Sequence, residues 1–233
     1  RLCYKVDHFY PVGSLNLSNH FNNKLVNVTP IYDFLVVSCW RGNIGFAKDV
    51  EDSMKAMRLM DEMLSKYLAH RKLKAAVILR SERDSDQWVM PEIQMSEEEY
   101  YRSIYGDLIE IIDVNFSEGN VYPVMQSADT IIAGFPTTCL IEAYAIGKKI
   151  LYTNFCDTNK YHVDIMPEIL FQGSADSYVE FKSRLDSLLV CSSDTYITEH
   201  KDLMNYYMKM PNPGSTRVAI KAKINDIVTL SFT

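Results

Sequence analysis

At 233 residues and 47% hydrophobic content, the chain can bury one large globular core, and its 24 basic and 30 acidic residues are mixed along its length. With a net charge of −6 and no block of basic residues, nothing suggests the positive field of a nucleic-acid binder, and small molecules are the expected partners. Cys3, Cys39, Cys139, Cys156 and Cys191 are odd in number, scattered and without C-x-x-C spacing, which indicates neither a disulfide framework nor a zinc site and suits a reducing, cytoplasmic compartment.

The chain starts at Arg1 rather than Met, so we expect it to be part of a longer protein. Its first thirty residues are rich in Asn, broken by Pro11, Gly13 and Pro30, weakly periodic, and read as a connecting segment. They hold Asp7 and His8, an imidazole beside a carboxylate that suits a base or a phosphate-binding cation, and equally a pair of surface residues. Asp33-Phe-Leu-Val-Val-Ser-Cys-Trp40 is a continuous apolar run with β-branched members, the pattern of a central parallel strand. It ends in Arg41-Gly42-Asn43-Ile44-Gly45, a turn that places bare backbone and a guanidinium where a phosphate or sugar carboxylate would lie, or a flexible loop with a solvated Arg41.

From Asp49 to His70 the apolar positions recur at helical spacing, with acids early and bases late, which predicts an amphipathic helix whose Met stripe packs in the core. Ala75 to Leu79 is the next strand, ending at Arg80 on the same sheet edge as Arg41, so two cations are expected to converge on one anion. Residues 83–107 read as a polar, acidic insert whose Trp88, Tyr100, Tyr101 and Tyr105 close over a sugar or pad the surface, padding being the expectation. Leu108 to Val114 reads as a strand and Asn120 to Ser127 as a short helix. No apolar run approaches the roughly 18 residues of a membrane span and no signal-peptide pattern appears.

The stretch from Val121 to Phe155 organises the rest. An apolar run, Thr130 to Ala133, breaks at Gly134 and Pro136, passes Thr137-Thr138, resumes at helical spacing through Cys139 to Gly147, and reaches a second apolar run at Ile150 to Tyr152. Strand, tight turn, helix, strand is a unit whose chemistry sits in the turn at the carboxyl end of the first strand. There the free N–H groups of Thr138 and Cys139 and the two threonine hydroxyls would meet an anion, and Glu142, one turn further in, would accept from the vicinal diol of a ribose. The same residues also fit a plain helix cap with a solvated Glu142. Beyond it come a short strand at Met166 to Phe171 and helices at Ser177–Val190, Thr195–Met208 and Arg217–Leu230, with Pro211-Asn-Pro-Gly214 as a breaker. Strands alternating with helices predict an α/β fold, a Rossmann-like parallel sheet with helices on both faces.

Ser127-Ala-Asp129, Thr137-Thr138, Glu142-Ala143 and Gly147-Lys-Lys149, followed by Asn154-Phe155, Tyr178 to Leu185, Ser193-Asp-x-Tyr196 and Asn205-Tyr-Tyr-Met208, resemble the donor-binding half of a GT-B glycosyltransferase. Within that group they are most similar to bacterial surface-carbohydrate transferases related to sialyl- and Kdo-type enzymes. Pro11-Val-Gly-Ser14 resembles the segment that enters such a half, although it also makes an ordinary turn. The likeness is good over residues 120–230 and loose over 30–120.

It implies a connecting segment at residues 1–30, a nucleotide-sugar-binding domain at 31–210 and a C-terminal helix at 211–233 that packs on the N-terminal half. The implied donor is a nucleoside-diphosphate sugar or, by preference, a CMP-activated acidic sugar. The acceptor is a glycan or glycolipid met in the cytoplasm, with at most peripheral attachment to the inner face of the membrane, and the general base comes from the other half. Arg41, Gly42, Asn43, Arg80, Thr137, Thr138, Cys139 and Glu142 are the expected donor contacts, with Asp7 and His8 as candidate catalytic groups. Lack of a His/Asp cluster leads us to expect no metal and no cofactor. A sugar-nucleotide epimerase of the same shape and a non-catalytic nucleotide-sugar-binding or assembly module remain open on the residues alone.

Overall fold

The structure is a computed structural model and describes residues 29–38, 47–80, 95–114, 121–134, 137–155, 169–207 and 215–230. Strand β1, Tyr32–Val37, buries its last four residues, as a strand covered on both faces must. Helix α1, Ala47–Leu68, follows, and Met54, Met57, Met60, Met63, Leu64 and Tyr67 line its buried face at helical spacing. The short β2, Ala75–Ile78, is wholly buried. Helix α2, Glu97–Tyr105, runs through a tight turn at Gly106–Leu108 into β3, Glu110–Ile112. Then come α3, Val121–Gln126, β4, Ala128–Ala133, α4, Thr138–Ala145, and β5, Lys149–Asn154. The chain ends through β6, Leu170–Gln172, and helices α5, Tyr178–Val190, α6, Ser193–Tyr207, and α7, Ser215–Leu230.

All six strands pair in parallel in the order β3-β2-β1-β4-β5-β6. The chain therefore winds outward from β1 to β3, returns to lay β4 beside β1, and winds outward again through β5 and β6. This is the Rossmann-like α/β sheet that the alternation of elements predicts, and its direction of winding reverses between β1 and β4. Side-chain bonds sort the helices into two groups. Tyr100 and Tyr105 of α2 and Asp186 of α5 bond to α1, whereas α3 and α6 bond to α4 through Tyr122–Glu142 and His200–Tyr144. Right-handed crossovers put such groups on opposite faces of the sheet.

Two expectations are corrected. Residues 97–105 are not surface padding but a helix whose Tyr100, Tyr101 and Tyr105 are core residues. Composition misleads here because the burial rests on a remote partner: Asp61 of α1, itself fully buried, accepts the hydroxyls of Tyr100 and Tyr105 at 2.8 and 2.7 Å. The strand expected over 108–114 is confined to Glu110–Ile112, because Gly106, with φ of 55°, starts the turn that precedes it.

The amino edge of the sheet is fastened by two lysines. Lys149 is 2% exposed, and its ammonium pairs with Asp129 at 2.5 Å while donating to the carbonyls of Leu188 and Cys191 at 2.7 and 2.9 Å, closing the end of α5. Lys148 donates to the carbonyls of Gln126 and Ala128 at 2.7 and 2.8 Å.

Candidate functional site

In an open parallel sheet a ligand lies outside the carboxyl ends of the strands, where the winding reverses. Here that place is bounded by Val37-Ser38 after β1 and Ala133-Gly134 after β4, with α4 opening beside them. Gly134 passes close to α1: an added Cβ would stand 3.4 Å from the Met60 sulfur and 3.6 Å from the Met57 Cα.

Helix α4 begins as its sequence predicts. Thr137 is extended, with φ −121° and ψ 155°, and its hydroxyl accepts the Leu140 N–H at 3.1 Å, a side-chain cap. The N–H groups of Thr138 and Cys139 are then the orphan donors of the first turn, at the positive end of the helix. Thr138 is exposed and Cys139 half-buried. Burial, and secondarily the charge of Glu142, push the Cys139 thiol up to about 11, which favours the protonated form at physiological pH. Glu142 is buried on the same helix and accepts the Tyr122 hydroxyl at 3.0 Å. Burial, with Glu142 next, raises the Tyr122 pKa, which keeps that phenol a donor.

Arg80 follows β2 at the same carboxyl edge with its side chain exposed, and its backbone N–H donates to Glu97 at 2.8 Å. Asp7, His8, Arg41, Gly42 and Asn43 lie outside the described residues. The structure thus brings Thr137, Thr138, Cys139 and Glu142 together on one helix and sets Arg80 across β1 from them. Among the described residues, no three His, Cys, Asp or Glu side chains gather as a metal site, and no helix is long and apolar enough to cross a membrane.

Sequence reasoning missed Glu97 and Ser38. Glu97 is 2% exposed, and one of its carboxylate oxygens accepts both the Ser38 hydroxyl and the Arg80 N–H. The only local signal is the capping box formed by Ser96 and Glu99, which marks the start of α2 but not the burial of the residue between them.

No family model and no curated protein matches the chain. Solved structures do. The spinosyn forosaminyltransferase SpnP is 10% identical, with 88% of this chain and 46% of that one covered and a TM-score of 0.46. A sucrose-phosphate synthase from Thermosynechococcus elongatus is 12% identical, with coverage of 95% and 50% and a TM-score of 0.48. The C-terminal domain of a group 1 family glycosyl transferase, LpcC, from Francisella tularensis is 13% identical, with coverage of 91% and 94% and a TM-score of 0.40. The chain spans about half the length of the first two.

Proposed function

We propose that this chain is the donor-binding half of a glycosyltransferase, which holds a nucleotide-activated sugar outside the carboxyl ends of β1 and β4. The observation that carries the reading is the reversal of strand winding beside a side-chain-capped helix start, with a buried carboxylate one turn inside it. In this reading the N–H groups of Thr138 and Cys139 and the hydroxyls of Thr137 and Thr138 hold the donor phosphate. Glu142 accepts from the ribose hydroxyls, a role open to it because a carboxylate has about four lone-pair sites. Arg80, with Arg41, Gly42 and Asn43 after β1, adds charge-assisted contacts to phosphate or to a sugar carboxylate.

Transfer makes the nucleotide leave with increased negative charge on its phosphate oxygens. Orphan N–H groups and a guanidinium fixed before the reaction stabilise that charge without reorganising, which is a route that needs no metal. The proposed donor is a CMP-activated acidic sugar or a nucleoside-diphosphate sugar, and the acceptor a glycan or glycolipid of the cell surface, met at the cytoplasmic side. The acceptor's general base belongs to the other half of the enzyme, and Asp7 and His8 stand as this chain's candidate catalytic groups.

A thermal-shift panel of CMP, CDP, UDP and GDP tests this. A nucleotide at a hundred times its dissociation constant stabilises the folded chain by about 2.7 kcal/mol and raises its melting temperature by several degrees. A shift with at least one nucleotide is expected, and no shift with any of them overturns the donor-site reading.

A further inference from the structure

A glutamate in the first turn of a helix is ordinarily a solvated side chain favoured by the helix dipole. Glu97 keeps the dipole but not the solvent, since it is 2% exposed. An ionised carboxylate taken out of water costs several kcal/mol unless it is well hydrogen-bonded. Glu97 meets that condition with donors from two strands. The Ser38 hydroxyl, just after β1, and the Arg80 backbone N–H, just after β2, both reach the same oxygen.

Those strands are neighbours, with Val37 in register with Ile78, and the Ser38 N–H donates to the Ile78 carbonyl at 3.1 Å. One buried carboxyl group therefore clasps the exits of β1 and β2. The clasp is carried by a fixed element, because Tyr100 and Tyr105 hold α2 on Asp61 of α1. Glu97 also grips Arg80 by its main chain, which sets where the Arg80 side chain starts its reach.

We propose that Glu97 is a positioning residue of the donor site: by clasping Ser38 and the Arg80 N–H it aims the Arg80 guanidinium at the phosphates of the nucleotide sugar. This rests on the donor-site reading above. A merely structural Glu97 would change stability alone, whereas a positioning Glu97 acts through Arg80 and must share its ionic signature. Glu97→Gln retains an amide oxygen able to accept both donors, whereas Glu97→Leu retains none.

The test is calorimetric binding of CMP and UDP, over a salt series, to wild type, Glu97→Gln, Glu97→Leu, Arg80→Gln and the double variant Glu97→Leu/Arg80→Gln. Glu97→Leu is expected to weaken binding about tenfold and flatten its salt dependence to that of Arg80→Gln, with the double variant no weaker than Arg80→Gln and Glu97→Gln close to wild type. If Glu97→Leu does not fold, Ser38→Ala substitutes for it. That variant should weaken binding about threefold in the wild-type background and not at all beside Arg80→Gln. If wild type binds neither nucleotide, the donor-site reading falls and this proposal with it. If wild type binds but Glu97→Leu lowers only the melting temperature, or its effect multiplies with that of Arg80→Gln, the proposal alone is overturned.

Discussion

In the proposed site a single side chain, Glu142, would serve two partners. Its carboxylate holds the Tyr122 hydroxyl at 3.0 Å, so replacing it with alanine would strand a buried phenol as well as remove a candidate ribose acceptor. The two effects separate in a Tyr122→Phe background, where no phenol is left to strand. There, a 2′-deoxynucleotide should bind more weakly than its ribo form by about 1–3 kcal/mol, and adding Glu142→Ala should erase the difference. Titration calorimetry of both ligands on both variants measures it. A deoxy penalty that survives Glu142→Ala at full size would show that the carboxylate does not read the ribose. In that case Glu142 keeps only its observed contact, linking α3 to α4.

Helix α2 is held to α1 by a carboxyl group whose protonation sets the strength of the contact. Complete burial pushes Asp61 up to about 7 from an ordinary 3.8, against the opposing pull of the Tyr105 and Tyr100 hydrogen bonds. A carboxyl raised on folding binds its proton more tightly in the folded chain than in the unfolded one. Its contribution is therefore fully present below about pH 4 and is lost as the pH rises through about 7. Within that window the slope approaches 1.4 kcal/mol per pH unit. Asp186, which Tyr67 and Lys182 hold below the usual carboxylate range, acts oppositely and at lower pH. Urea unfolding from pH 4 to 8 should accordingly show Asp61→Asn losing a downward slope that wild type has, and parallel curves for the two would refute the assignment.

The same helix marks a limit of sequence reading. The β4–α4–β5 unit was legible because its apolar runs, its turn residues and the Thr137 cap are all local signals. The burial of Tyr100, Tyr105 and Glu97 was not, because their partners lie 39, 44 and 59 residues away and only the folded sheet brings them together. Strand order was hidden for the same reason. Alternation predicts a parallel sheet, but the pairing of Tyr32 with Ala128 depends on contacts that no window of sequence contains.

At the scale of the sheet, the proposed donor site gives its two edges separate tasks. The amino edge is bound tightly by buried charge at Lys149 and by the paired carbonyl contacts of Lys148, whereas the carboxyl edge carries the helix start, Glu142 and Arg80. The run Gly147-Lys148-Lys149 stands among the residues that resemble glycosyltransferases, yet its ammonium groups bind main chain and Asp129 at the edge away from the proposed donor. Lys149→Met fills similar space but removes the charge, leaving Asp129 and two carbonyls without their donor. Breaking a buried ion pair on one side costs about 3–5 kcal/mol, less here because Asp129 is 25% exposed and can recover some water. Urea unfolding of Lys149→Met should therefore show a loss of about 2–4 kcal/mol. Calorimetry on the folded variant should give the nucleotide affinity of wild type within about twofold, because sites this far apart contribute additively. A large loss of affinity with little loss of stability would reverse the assignment and make Lys149 part of the donor site.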